Sequence, residues 1–171
     1  FGIELDVQFT KDKKVVVFHD DNLERMTKDK RNVNELTYKE LKNLKLLDTN
    51  ETIPLLEEVL SLVNGKVPLV IEIKTCDNII QLGEETYKRL KSYKGKFAVE
   101  SFNPIVLKWF KKNAKEVIRG QLSGDYKNFL NVYESYKARI TDTMSKIEDV
   151  AKKMYDLWSE DNVSRLWTIW N

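Results

Sequence analysis

Two short segments place ionisable side chains at a spacing that could do chemistry. Glu4 and Asp6 stand one residue apart in GIELDVQF, and Glu72 and Lys74 repeat that spacing in VIEIK. Successive side chains of an extended chain point to opposite faces. Glu4, Asp6 and Gln8 therefore share one face, with Ile3, Leu5 and Val7 on the other; Ile71 and Ile73 oppose Glu72 and Lys74 in the same way. Buried carboxylates are costly unless cations neutralise them. Glu4, Asp6 and Glu72 offer three against the single ammonium of Lys74, so a divalent cation is a natural neutraliser. All-oxygen donors favour hard Mg²⁺ or Ca²⁺ over zinc, which usually takes Cys or His. Each segment alone also fits a half-exposed antiparallel strand with solvated charges. Their place in an otherwise parallel pattern weakens that account, because parallel sheets are normally covered on both faces.

His19 is the one histidine of the chain and sits where the apolar run VVVF gives way to the polar DDNLER. A reference pKa of about 6.5 suits imidazole to proton transfer at neutral pH. A lone histidine is also commonly structural, so its position alone leaves both roles open.

The elements that must hold these groups follow from periodicity. GIELDVQF alternates as a strand, and VVVF is a second, short strand after the polar turn Thr10 to Lys14. Thr37-Tyr38-Lys39-Glu40 spells a capping box, and Leu36, Leu41, Leu44 and Leu47 recur at mostly helical intervals, predicting a short helix. Another helix follows Ile53-Pro54, with Pro in its first turn and Leu56, Val59, Leu60 and Val63 on one face, ending at Asn64-Gly65. Residues 68–74 read as a strand, 79–92 as a helix burying Ile80, Leu82, Tyr87 and Leu90, and 97–101 as a strand. Asn103-Pro104 caps and opens a helix to about Asn113, and 116–122 is a strand. Alternating strands and helices predict parallel βα units joined by right-handed crossovers. Residues 125–162 read as helix, and 163–170 as a closing strand. No internal repeat, linker or low-complexity segment interrupts the chain.

Composition limits the function classes. With 171 residues and 42% hydrophobic content the chain has the size and the core of one domain, 1–171. Lys+Arg 29 against Asp+Glu 27 leaves a net charge of +2, which argues against a nucleic-acid partner, since that needs a basic stripe. One cysteine, Cys76, excludes an intramolecular disulfide and fits a reducing compartment such as the cytoplasm. Apolar runs fall far short of the roughly 18 residues of a membrane span, and no signal-type segment opens the chain. The chain begins at Phe1-Gly2-Ile3, without Met and directly in a strand pattern, so it is read as part of a longer protein.

GIELDVQFTKDKKVVVFHDDNLERMT, followed in order by IPLLEEVL, VPLVIEIK, VESFNP and IRGQL, resembles the glycerophosphodiester phosphodiesterase family, and the closing RLWTIWN is an imperfect copy of the family's late strand. The resemblance implies a (β/α)8 TIM barrel, incomplete here because such a barrel takes about 250 residues. Its first strand and parts of its later half are expected to lie outside this chain. The resemblance also implies roles. Glu4, Asp6 and Glu72 would bind a divalent cation, Mg²⁺ or Ca²⁺; Lys74 would be a basic group near the phosphate; His19 would be one of two histidines acting as general acid and base. Glu100 and Trp167 would line the substrate pocket. The second histidine belongs to a His-Arg pair on a strand before the acid pair. The implied activity is hydrolysis of glycerophosphodiesters to sn-glycerol 3-phosphate and an alcohol such as choline or ethanolamine. Two other readings stay open: a non-catalytic barrel that binds phosphodiester head groups through the same cation site, and a lysophospholipase D acting at a membrane surface, for which the segment Tyr126 to Tyr136 could be the contact.

Overall fold

The computed structural model describes residues 2–124. Its centre is a five-stranded sheet in the order β2-β1-β3-β4-β5, built from β1 (Ile3–Phe9), β2 (Val15–Val17), β3 (Leu69–Ile73), β4 (Phe97–Ser101) and β5 (Ile118–Gln121). The strands β1, β3, β4 and β5 run parallel, each beside its successor. Parallel neighbours need a crossover between them. Helix α3 (Leu56–Val63) lies between β1 and β3, α4 (Ile79–Leu90) between β3 and β4, and α5 (Pro104–Asn113) between β4 and β5. This is a run of consecutive βα units, part of a TIM barrel.

One strand departs from the expected parallel pattern. β2 pairs antiparallel with β1, Val7 opposite Val17 and Phe9 opposite Val15. The reason lies in the turn at Thr10 to Lys14, which is far shorter than the dozen or so residues of a parallel crossover. Thr10 Oγ1 accepts from Lys14 N at 2.9 Å and donates to Asp12 Oδ1 at 2.7 Å, and Lys13 takes a left-handed φ of 59°.

The period-two alternation of β1 and β3 sends Leu5, Val7, Phe9, Leu69, Ile71 and Ile73 into one core with Leu60, Leu82, Val99 and Phe110 from the helices and β4. Burial of each such side chain stabilises the fold by about 1.5–3 kcal/mol. Ile3 is the exception, 42% exposed at the start of β1. Helix α3 buries Leu56, Leu60 and Val63 and stops where Asn64 (φ 46°) and Gly65 (φ 74°) turn left-handed, as the Asn-Gly pair predicts. Pro54 precedes the capping residue Leu55, two residues before the first helical position, so it stands outside the first turn. Asn103 Oδ1 accepts from Ile105 N at 2.9 Å and caps α5. In α4, Leu82 and Leu90 are fully buried, while Ile80 and Tyr87 only edge the core.

Residues between β2 and α3 wrap a smaller core of Val16, Phe18, Leu23, Val33, Leu36, Leu41 and Ile53. The expected helix from Thr37 forms, and Thr37 N donates to Glu40 Oε2 at 2.8 Å, but α2 covers only Tyr38–Leu41. Leu47 lies beyond it, exposed and with a φ of 51°. Here a one-turn α1 (Glu24–Thr27) and a 3₁₀ turn at Val33–Glu35 also appear. The expected helix at 125–162 and strand at 163–170 lie outside the described residues.

Helices α4 and α5 meet across Gly83, where a Cβ would stand 2.5 Å from Val106 Cγ2. Val is stiff about χ1 and cannot swing clear within a helix. Gly83→Ala is therefore expected to lower stability by about 1–3 kcal/mol through overpacking, overriding the gain of roughly 1 kcal/mol in helix propensity. A denaturant midpoint at or above that of the unsubstituted protein would contradict this packing.

Candidate active site

The sheet register brings the two ionisable segments together. Asp6 of β1 pairs with Glu72 of β3, Glu72 with Glu100 of β4, and Glu100 with Gly120 of β5. In-register residues of parallel strands project to the same face at about 4.8 Å spacing. Three carboxylates thus form a row across the sheet, on the face opposite the helical core, and Glu4 adds a fourth from the same face of β1. Gly120 leaves room for the row, since a Cβ there would lie 3.2 Å from Glu100 Cβ and 3.4 Å from its Oε2.

Glu4, Asp6 and Glu72 each turn one carboxylate oxygen into a common space, with the oxygens all within 4.8 Å of one another. Asp6 is only 5% exposed. Lys74 Nζ stands 3.5 Å from Asp6 Oδ1 and 3.4 Å from Glu72 Oε1, which makes it the nearby counter-charge. Among the described residues, Asp6 Oδ1 nevertheless has no hydrogen-bond partner. Three converging carboxylates that share the one ammonium of Lys74 fit a bound cation. All the donors are oxygens, which suits a hard divalent ion.

The electrostatics agree with that shortage of positive charge. Burial first, then the charges of Asp6, Glu100 and Glu72, together lift Glu4 from 4.5 to about 7 against the opposing effect of His19. Burial also raises Glu72, reinforced by Asp6 and resisted by Lys74 and His19, and raises Glu100, with Glu72 and Asp6 adding to the effect. Burial depresses Lys74, but Glu72 and Asp6 outweigh it and hold the ammonium above its usual range.

His19 lies just past β2, with its side chain 59% exposed. Gln8, on the acid-bearing face of β1, donates to the carbonyls of Phe18, His19 and Asp20, which places this loop on the side of the sheet that carries the acids. His19 Nδ1 and Asp20 Oδ1 are 2.8 Å apart. Arg25 holds Asp20 in turn, Nε to Oδ2 at 2.7 Å and Nη2 to Oδ1 at 3.0 Å, and this guanidinium is the main cause of a carboxyl held down at about 2. An ionised Asp20 accepting from Nδ1 fixes the imidazole tautomer so that Nε2 is the proton-exchanging atom.

The geometry thus unites Glu4, Asp6, Glu72 and Lys74, adds Glu100 beside them, and sets His19 at the same face; Trp167 lies outside the described residues. Sequence reasoning missed Asp20, Arg25 and Gln8. Gln8 was legible as a neighbour of Glu4 and Asp6 on their face, and Asp20 as a residue next to the imidazole, but nothing local revealed their partners. A cavity of about 530 Å³ adjoins the site, lined among others by Lys11, Lys13, Asn32 and Asn34; it meets the acid cluster only along Gln8 and Lys74. Among the described residues, no helix is long and apolar enough to cross a membrane.

The model of the glycerophosphoryl diester phosphodiesterase family matches residues 2–166. The chain belongs to that family. It is 37% identical over 131 residues to a glycerophosphodiester phosphodiesterase of Caldanaerobacter subterraneus, covering 71% of this chain and 54% of that protein. A lysophospholipase D of Rattus norvegicus is 35% identical over 125 residues, 66% of this chain and 40% of the relative. Among solved structures, an Oleispira antarctica phosphodiesterase in complex with the product sn-glycerol-3-phosphate superposes with a TM-score of 0.67 at 25% identity, covering 78% of this chain and 60% of that one. The chain spans about a third to a half of the length of the first curated relatives it matches.

The raised acids set a pH dependence for the cation-free fold of this family member. Glu4 holds its proton more tightly in the native state, so between 4.5 and about 7 the folded chain carries more protons than the unfolded one, and stability declines as pH rises through that window. In chelator the melting temperature is expected to fall between about pH 5 and about pH 8. Excess Mg²⁺ or Ca²⁺ at the higher pH should restore it, and Glu4→Gln should flatten the slope. A midpoint indifferent to pH and to cations would contradict this electrostatic reading.

Proposed function

We propose that the protein hydrolyses glycerophosphodiesters to sn-glycerol 3-phosphate and an alcohol. The observation that carries this reading is the convergence of Glu4, Asp6 and Glu72, oxygens within 4.8 Å of one another, beside Lys74. Membership of the family supports it, as does the relation to a phosphodiesterase whose structure holds sn-glycerol-3-phosphate. The family match over residues 2–166 supports reading that stretch as part of one family domain.

Glu4, Asp6 and Glu72 would hold a divalent cation, Mg²⁺ or Ca²⁺, which when bound supplies Lewis-acid stabilisation of charge on the phosphoryl oxygens. Lys74 directs an ammonium at the same region and offsets negative charge that builds on the phosphate in the transition state. His19, with Nδ1 engaged by Asp20 Oδ1 at 2.8 Å, presents Nε2 to the departing alcohol and protonates it as the phosphorus–oxygen bond breaks. The attacking water loses its proton to a second base, for which the resemblance expects a histidine; residues 1–171 hold only His19. Glu100, whose carboxyl burial shifts upward, lies beside the cluster where it can hydrogen-bond glycerol hydroxyls. Trp167 is retained as a pocket residue on the resemblance alone.

A second reading has its own observation. Phe102 and Ile105 follow directly on the strand that carries Glu100 and are 50% and 57% exposed, an apolar rim suited to the acyl chain of a lysophospholipid.

The full-length protein incubated with glycerophosphocholine and Mg²⁺ or Ca²⁺ is expected to release glycerol 3-phosphate. His19→Ala should reduce turnover by about 10²- to 10⁴-fold, the usual worth of general acid–base catalysis, while cation affinity stays largely intact. Cation binding without product would favour a non-catalytic binding barrel. Faster turnover of lysophosphatidylcholine than of glycerophosphocholine would favour the second reading.

A further inference from the structure

We infer that Gln8 is the positioning residue for His19, acting through the backbone of the 18–20 loop; the inference rests on the hydrolytic role proposed for His19. Gln8 follows Glu4 and Asp6 on the acid-bearing face of β1. Its Nε2 donates to three consecutive carbonyls, those of Phe18 at 2.8 Å, His19 at 3.2 Å and Asp20 at 2.9 Å. Three carbonyl oxygens converging on one point repel one another, and only a donor between them makes the arrangement favourable. An amide NH₂ has two hydrogens, so at least one is shared between two carbonyls. The convergence also dictates which end of the carboxamide faces the loop, since its oxygen would face three acceptors.

The clamp stands where the regular ladder ends. The pairing of β1 with β2 closes at Val7 opposite Val17, and the chain then leaves the sheet. One main-chain bond continues past that point, from Phe18 N to Asp6 O at 3.1 Å. Beyond it, the side chain of Gln8 substitutes for the missing ladder and ties the loop to the strand that carries Glu4 and Asp6. The backbone of His19 is thus referenced to the acid cluster by a main-chain bond at Asp6 and a side-chain bond at Gln8. Asp20 and Arg25 then set the ring about that fixed backbone. A displacement of about 1 Å at a catalytic group can cost on the order of 10²-fold in rate.

Gln8→Leu, which keeps most of the bulk and removes the donor, is expected to lower kcat by about 10- to 100-fold, with KM and Mg²⁺ affinity little changed. In a His19→Ala background the same change should alter the residual rate by less than about twofold, because a residue that acts through the imidazole has nothing left to position. Equal losses in both backgrounds, or an unchanged kcat, would overturn the inference. If Gln8→Leu does not fold, Gln8→Glu carries the test. It keeps the side-chain length and loses the NH₂ that bridges the three carbonyls, so kcat should fall in the otherwise unsubstituted protein and not in the His19→Ala background, and an unchanged kcat would overturn the inference. The imidazole NMR signal of His19, assigned with His19→Ala, gives a readout independent of turnover and is expected to shift or broaden in either Gln8 variant. If the unsubstituted protein hydrolyses no glycerophosphodiester, the hydrolase reading fails by itself; an unmoved imidazole signal defeats the Gln8 inference.

Discussion

The crowding of negative charge on one face of the sheet is the constraint to which the rest of the structure answers. Asp6, Glu72 and Glu100 are aligned by strand register, and Glu4 joins them from the same face of β1. Like charges at this spacing and burial repel strongly, and desolvation adds to the cost. Lys74 offsets part of it, as its contacts of 3.5 and 3.4 Å with Asp6 and Glu72 indicate. The remainder appears as a Glu4 carboxyl lifted to about 7 and as a buried Asp6 that shares its ammonium with Glu72. A fold selected for stability alone would place apolar or paired residues there.

The opposite face of the same strands makes this arrangement tolerable. Leu5, Val7, Ile71, Ile73 and Val99 anchor the sheet to α3, α4 and α5 in a dry core, so the register that aligns the acids is the register that buries the aliphatics. A slip of one residue would bury the carboxylates in that core and expose the aliphatic side chains. The segment from Phe18 to Ile53 carries the imidazole and closes over its own smaller core. Site and scaffold are therefore two faces of one alternation.

Much of this was legible in the sequence, for identifiable reasons. The alternation of β1 and β3 announced both the strands and the acidic face, because period-two patterning is local. The start of α5 at Asn103-Pro104 and the end of α3 at Asn64-Gly65 rest on capping chemistry within a few residues. The segment after β2 was misread where tertiary contacts prevail. Tyr38 N bonds to Asp12 Oδ1, 2.9 Å away across the fold, and pins a single turn of α2, while Leu44 and Leu46 edge the smaller core outside any helix. The direction of β2 was implicit in the length of its turn. The partners of Gln8 and Asp20 were not legible at all, because a side chain that reads distant carbonyls, or a guanidinium five residues on, leaves no periodic trace.

The central claim is that the carboxylates of Glu4, Asp6 and Glu72 form one cation site. Calorimetric titration of Ca²⁺ or Mg²⁺ into the full-length protein and into its Asp6→Asn variant tests it most directly. One ion is expected to bind per chain, with proton release as Glu4 ionises, and that binding should be lost in Asp6→Asn. Equal binding by the two proteins, or none by either, would contradict it.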